Sequence, residues 1–243
     1  MKNNLSAILF AAAIVIASFV LANAVMNRNR PQGTIVVTGL GESNFTSDLV
    51  VWEGEFNRES TELKTAYANL EADRNAVTEY LKTKGIPKES LIFKAVTTNP
   101  LYKQNYSNEG NYVGQTFQGY QLNQALVIES KEVEKVEKIS REITELLNQG
   151  IVFYSQQPRY YYTGLESLKL EMIAKATEDA RIRAERIAEN SGSDLGDLIQ
   201  ANMGIFQITG QNSGEDYSWG GTLNTSSKNK TASITMKLTF ETN

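Results

Sequence analysis

Residues Ala232 to Glu241 alternate without exception: Ala232, Ile234, Met236, Leu238 and Phe240 are apolar, and Ser233, Thr235, Lys237, Thr239 and Glu241 are polar. Successive side chains of a strand point to opposite faces, so this run buries one face and wets the other. Strands of a parallel sheet covered on both faces read instead as continuous apolar runs. The alternation therefore commits the chain to antiparallel pairing with helices stacked on a single side, which is an α+β fold.

The rest of the sequence supplies matching parts. Thr34 to Thr38 is a β-branched run, and Asp48 to Phe56 places Val50, Trp52 and Phe56 on one side of a pleat; Gly39-Leu40-Gly41 between them predicts a turn. From about Ser60 to Lys84 the period changes. Leu63, Ala66, Tyr67, Leu70, Val77, Tyr80 and Leu81 recur at three and four until Gly85, with charged residues between them on the expected wet face. Leu91 to Thr98 and Tyr120 to Glu129 return to strand composition around a loop rich in Asn, Gln, Gly and Tyr. A second helix is predicted over about Lys131 to Asn148, ending at Gly150, and then a strand over Ile151 to Ser155. The third helix, about Leu165 to Asn190, carries Ala176, Ala180, Ala184 and Ala188 four apart, small enough to let a helix approach a sheet closely. Its outer face offers Asp179 with Arg183 and Arg181 with Glu185 at i,i+4 spacing. Met203 to Thr209 predicts one more strand, and Gly210 to Lys230 a polar loop.

The N-terminus governs location. Leu5 to Met26 is a nearly continuous apolar run, about 33 Å of helix, enough for a hydrocarbon core of roughly 30 Å. Ala22-Asn23-Ala24 supplies a small-x-small cleavage site, so residues 1–26 are expected to be a membrane anchor or a secretory signal segment. Residues 27–33 read as a linker and residues 34–243 as the exported α+β domain. The domain is expected in the periplasm, although Arg28 and Arg30 weaken the orientation argument because positive flanks favour the cytoplasm.

The sequence has no Cys and no His. Disulfides, thiolate nucleophiles, thiolate and imidazole metal sites and the Ser-His-Asp triad are excluded with them. With 24 Lys+Arg against 28 Asp+Glu, the net charge of −4 argues against a nucleic-acid partner. Remaining motifs are weak. Gly39-Leu40-Gly41 imitates the start of a dinucleotide fingerprint, but a strand follows where a helix N-terminus is needed. Glu53 and Glu55 share one face of a strand, opposite Val50, Trp52 and Phe56, where the pattern predicts solvent. Ser167 and Lys169 are two apart on a helix and do not face each other. No catalytic, cofactor-binding or metal-binding residue is assigned, no cofactor is expected, and the chain is expected not to be an enzyme.

Two tyrosine clusters remain: Tyr102, Tyr106, Tyr112, Phe117 and Tyr120, and the run Tyr160-Tyr161-Tyr162. Clustered aromatics at low charge suit protein interfaces, an oligomer contact before sugar stacking, and loop packing over a sheet edge accounts for them better than either.

The stretch Ala174-Lys175-Ala176-Thr177-Glu178-Asp179-Ala180-Arg181-Ile182-Arg183-Ala184-Glu185-Arg186-Ile187-Ala188, followed by Gly192 and Leu195-Gly196, resembles the C-terminal signature of the SIMPL-domain family. Val37-Thr38-Gly39-Leu40-Gly41, Lys84-Gly85-Ile86, Asn99-Pro100-Leu101-Tyr102 and Gly119-Tyr120 look like landmarks of the same family, in its order. Its members include bacterial periplasmic immunogenic proteins. The resemblance implies an α+β fold, homo-oligomers that are ring-like or channel-like in some bacterial relatives, a link to envelope stress tolerance, and no established active site. The expectation is a non-enzymatic envelope protein that self-associates, with a peptide-, glycan- or protein-binding module as the alternative.

Overall fold

The computed structural model describes residues 2–28 and 33–242, with side chains of the first helix described from residue 9 to 25. The expected linker over 27–33 falls mostly outside the described residues. In chain order the elements are α1 (Lys2–Arg28), β1 (Gly33–Thr46), β2 (Leu49–Ser60), α2 (Leu63–Thr83), β3 (Leu91–Phe93), β4 (Thr97–Tyr106), β5 (Tyr112–Ser130), α3 (Val133–Glu142), β6 (Phe153–Ser155), β7 (Arg159–Tyr161), α4 (Leu165–Ser191), β8 (Leu195–Met203), β9 (Gln207–Gly210) and β10 (Asn229–Thr242). The fold is α+β with two antiparallel sheets, as the alternation requires. One sheet has the order β1-β10-β8, with β9 also on β10; the other has the order β3-β5-β2-β6, with β4 also on β5 and β7 on β2.

The chain divides into two compact units, one of Met1–Gly41, Ala174–Gly204 and Thr235–Asn243, the other of Glu42–Ile173 and Ile205–Ile234. In the larger unit β2 pairs with β5 from Val50↔Ser130 to Ser60↔Tyr120, a ladder that aligns Trp52, Phe56, Leu122, Leu126 and Ile128 on one buried face. Ala66, Leu70, Val77 and Leu81 of α2 and Val133, Val136 and Ile139 of α3 cover that face. Each fully buried Leu or Val contributes about 1.5–3 kcal/mol, so these stripes hold the helices to the sheet. Past α3 the chain tightens into a 3-10 turn over Ile143–Gln149, where one long helix was expected, and Gly150 still ends it. Phe153 stacks on Phe56 at 6.1 Å, and Trp52 Nε1 donates to Ser155 Oγ at 3.0 Å.

Asp73 departs from the expected pattern. It lies on the inner face of α2 at 5 % exposure, whereas the period placed the charged residues of this helix in water. The Arg58 guanidinium of β2 meets it with two bonds, Nε to Oδ2 at 2.5 Å and Nη2 to Oδ1 at 2.8 Å, and Nη2 also donates to the Gly150 carbonyl at 3.0 Å. A bidentate charged pair is the arrangement that lets a carboxylate be buried.

In the smaller unit Ala176, Ala180, Ala184 and Ala188 of α4 are all buried, as are Ile35 and Val37 of β1 and Leu238 and Phe240 of β10. The turn expected at Gly39-Leu40-Gly41 is absent, because β1 runs unbroken through it. Gly39 serves another purpose: a Cβ there would lie 2.1 Å from the Ala176 carbonyl oxygen and 2.4 Å from the Ala180 nitrogen. Asp179, expected on the outer face, pairs with Arg183 at 2.9 Å and also accepts the Leu40 N–H at 2.8 Å. That backbone donor, with Arg183 beside it, holds the Asp179 carboxyl below its ordinary pKa. The strand expected over Met203 to Thr209 is divided between β8 and β9.

Among the described residues no helix is long and apolar enough to cross a membrane. The described side chains of α1, Leu9 to Val25, give about 25 Å of helix. The expected span therefore depends on Leu5 to Ile8 and Met26, whose side chains lie outside the described residues.

Candidate functional site

The loop expected between residues 98 and 120 is a β-hairpin. β4 pairs with β5 from Thr97↔Asn123 to Tyr106↔Tyr112, whereas β2 pairs with β5 only from Tyr120 onward. From Leu101 outward the two strands thus continue as a ribbon. Its root is fixed by a shift of register between Leu101 and Tyr102 and by Gly119, whose φ of +141° few other residues adopt. A Cβ on Gly119 would also lie 2.4 Å from the Ser60 carbonyl oxygen, where β2 ends. The tip is closed by Ser107 N–H to Asn111 O at 2.8 Å and Gly110 N–H to Ser107 O at 2.9 Å.

The register sorts the side chains. Tyr102 pairs across the ribbon with Phe117, Gln104 with Gln115, and Tyr106 with Tyr112, so the rings share one face. Tyr102 and Phe117 meet edge to face at 5.7 Å, Phe117 and Tyr120 at 5.1 Å, and Tyr106 and Tyr112 at 6.1 Å. Tyr102, Tyr106, Tyr112, Val113 and Phe117 are all exposed, between 45 and 63 %. Only Lys103 and Glu109 carry charge between residues 97 and 119. An exposed aromatic ladder with so little charge has the composition of a contact surface. At its root lies a mostly apolar groove of about 530 Å³, lined by Leu63, Lys64, Tyr67, Val96, Thr98 and Leu122.

The second tyrosine cluster has the other fate. Tyr160 is 7 % exposed, its N–H donates to Thr225 O at 2.7 Å, and the Tyr161 carbonyl accepts the Asp48 N–H. Tyr162 packs on Phe45 at 4.8 Å. These rings line a cavity of about 40 Å³ with Leu165, Ile208 and Lys230. Lys230 is 2 % exposed and donates to the Tyr160 carbonyl. Burial pushes its pKa down to about 8, against an opposing pull from Glu215. The alternation of β10, carried back from Ala232, puts Lys230 on the buried face and Lys237 on the wet one, so the parity of the strand marks this lysine although its residue type does not.

Lys230 yields a pH prediction. Its folded pKa lies below the unfolded value near 10.5, so between about pH 8 and pH 10.5 the unfolded chain binds the extra proton and stability rises with pH. Denaturant unfolding of the wild type against Lys230→Met should show the wild type gaining about 2–3 kcal/mol relative to the variant across that window. A constant difference would contradict a charged, buried ammonium.

Glu53, expected in water, is half-buried and paired with Lys94 at 2.5 Å and Arg159 at 3.7 Å. Ser167 Oγ donates to Gly164 O, and Lys169 lies over the Phe206 ring, so the two do not act together. A polar cleft of about 410 Å³ includes Glu137, Ser140, Arg141 and Ser155. There the Ser155 hydroxyl donates to Ser140 O at 2.7 Å, and Lys228 holds the Glu137 carboxyl below its ordinary pKa. Such a serine is not activated by a base. Among the described residues no group of three or more acidic side chains is placed to hold a metal ion.

The sequence model of SIMPL, described as a protein of unknown function (DUF541), matches residues 35–240. The chain belongs to the SIMPL family. No curated protein matches it. The SIMPL match begins just inside β1 and ends near the close of β10, so it takes in the ribbon, the groove and the α4 alanine stripe and leaves α1 outside.

Proposed function

We propose that this SIMPL protein is a non-enzymatic protein of the cell envelope whose domain works by self-association on the periplasmic side. The observation that carries the reading is the ribbon, an aromatic ladder held in water by a two-stranded support. An isolated two-stranded ribbon is marginally stable on its own, and packing its aromatic face against another surface removes that weakness. Export is supported by α1, whose described side chains from Leu9 to Val25 are all exposed and uncharged. In one form α1 remains at the membrane, with apolar length beyond Leu9 to Val25; in the other it is removed after Ala24. A role in envelope stress tolerance is part of the proposal and is supported only by the family resemblance.

The same ladder favours a second reading, a binding module for a peptide, glycan or foreign protein, because aromatic faces stack on all three. Light scattering of the full chain in mild detergent separates the two. Self-association predicts a discrete multimer at micromolar concentration. A strict monomer, combined with lost binding to envelope extracts in Tyr106→Ala, would establish the module instead.

A further inference from the structure

The ribbon and the groove at its root are both exposed, and both belong to the larger unit. Their chemistry matches. Groove residues Leu63 and Tyr67 are exposed at 44 and 54 % beside a buried Leu122, and Tyr106, Tyr112 and Val113 near the ribbon tip are exposed at 58, 58 and 63 %. The groove carries one charged residue, Lys64, and the tip carries one, Glu109. Among the described residues neither forms an ion pair.

A ribbon cannot fill the groove of its own chain. Thr98 lines the groove and Tyr106 stands at the tip of the same strand, about 26 Å away along a paired ladder. We infer that the groove lined by Leu63, Lys64, Tyr67 and Val96 receives the ribbon tip of a second copy of this chain, with Glu109 of one copy set against Lys64 of the next. The contact is head to tail, since donor and acceptor are different surfaces; it closes into a ring if the rotation permits and otherwise extends as a filament. It rests on the self-association proposed above, and it adds which surfaces meet.

The absence of cysteine from the chain makes a clean test. Full-length Thr98→Cys and full-length Val113→Cys, mixed in mild detergent and oxidised, should form a disulfide-linked pair between the two variants, while neither forms one alone. Lys64→Glu and Glu109→Lys should each weaken the multimer about tenfold, and the two together in one chain should restore it. If the wild type is a multimer but the Thr98→Cys and Val113→Cys variants form no link and the charge changes leave the multimer intact, the ribbon-in-groove contact is overturned and self-association stands. A monomeric wild type would remove both.

Discussion

Gly39→Val will cost about 4 kcal/mol and loosen the smaller unit. The reason is what a side chain would strike. A Cβ at this position falls 2.1 Å from the Ala176 carbonyl oxygen, 2.4 Å from the Ala180 nitrogen and 2.7 Å from the Ala180 Cβ. Helix backbone cannot swing aside as a flexible side-chain end can, so α4 must lift or β1 must bend. Either movement draws Leu40 N–H away from Asp179, whose carboxylate then loses a charge-assisted bond. Hydrogen exchange at the α4 amides from Ala176 to Ala188 should quicken sharply. Val36→Thr, on the same strand but 51 % exposed, is the control and should stay within about 0.5 kcal/mol. Equal protection in Gly39→Val and the control would mean that the close approach does not hold this unit together.

That prediction also shows where the sequence falls silent. The alanine stripe of α4 announces a close approach, but the residue it approaches lies in Gly39-Leu40-Gly41, which has the composition of a turn, and nothing local reveals a helix pressing from above. Elements that bury one face write their pattern plainly. The alternation in β10, Val50, Trp52 and Phe56 in β2, and the stripes of α2 and α3 all mark faces that the structure buries.

The ribbon is hidden for the opposite reason. Residues 97–119 face water on most sides, so nothing selects for alternation, and the run of Asn, Gln, Gly and Tyr reads as a loop. β8 is similar: from Asp197 to Met203 every residue is exposed, and its strand is held by pairing with β10. The aromatic residues of the candidate site were nevertheless visible as a cluster. What could not be read was their shared face, because that depends on a register set by the shift at Leu101 and by Gly119. The groove was illegible altogether, since it joins the start of α2 to β4 and β5 across some sixty residues of chain.

Arg58→Met will destabilise the larger unit by about 3 kcal/mol, and the loss will come mainly from its partner. The Arg58 guanidinium is one-third exposed, so removing it from water costs little; the Asp73 side chain is 7 % exposed and sits among Leu70, Val77 and the sheet. Without arginine that carboxylate stays buried with no opposing charge, the situation in which broken pairs cost most. The Gly150 carbonyl also loses its donor, where the chain turns toward β6. Asp73→Leu in the same chain should recover most of the loss, since two apolar groups of similar size can replace a charged pair at little cost. Urea unfolding followed by the emission of Trp52, which is fully buried in this unit, measures both variants, because Trp219 is 96 % exposed and changes little on unfolding. If the double variant were as unstable as Arg58→Met, the penalty would lie in lost packing by the arginine stem, and the buried carboxylate would not be what the pair exists to satisfy.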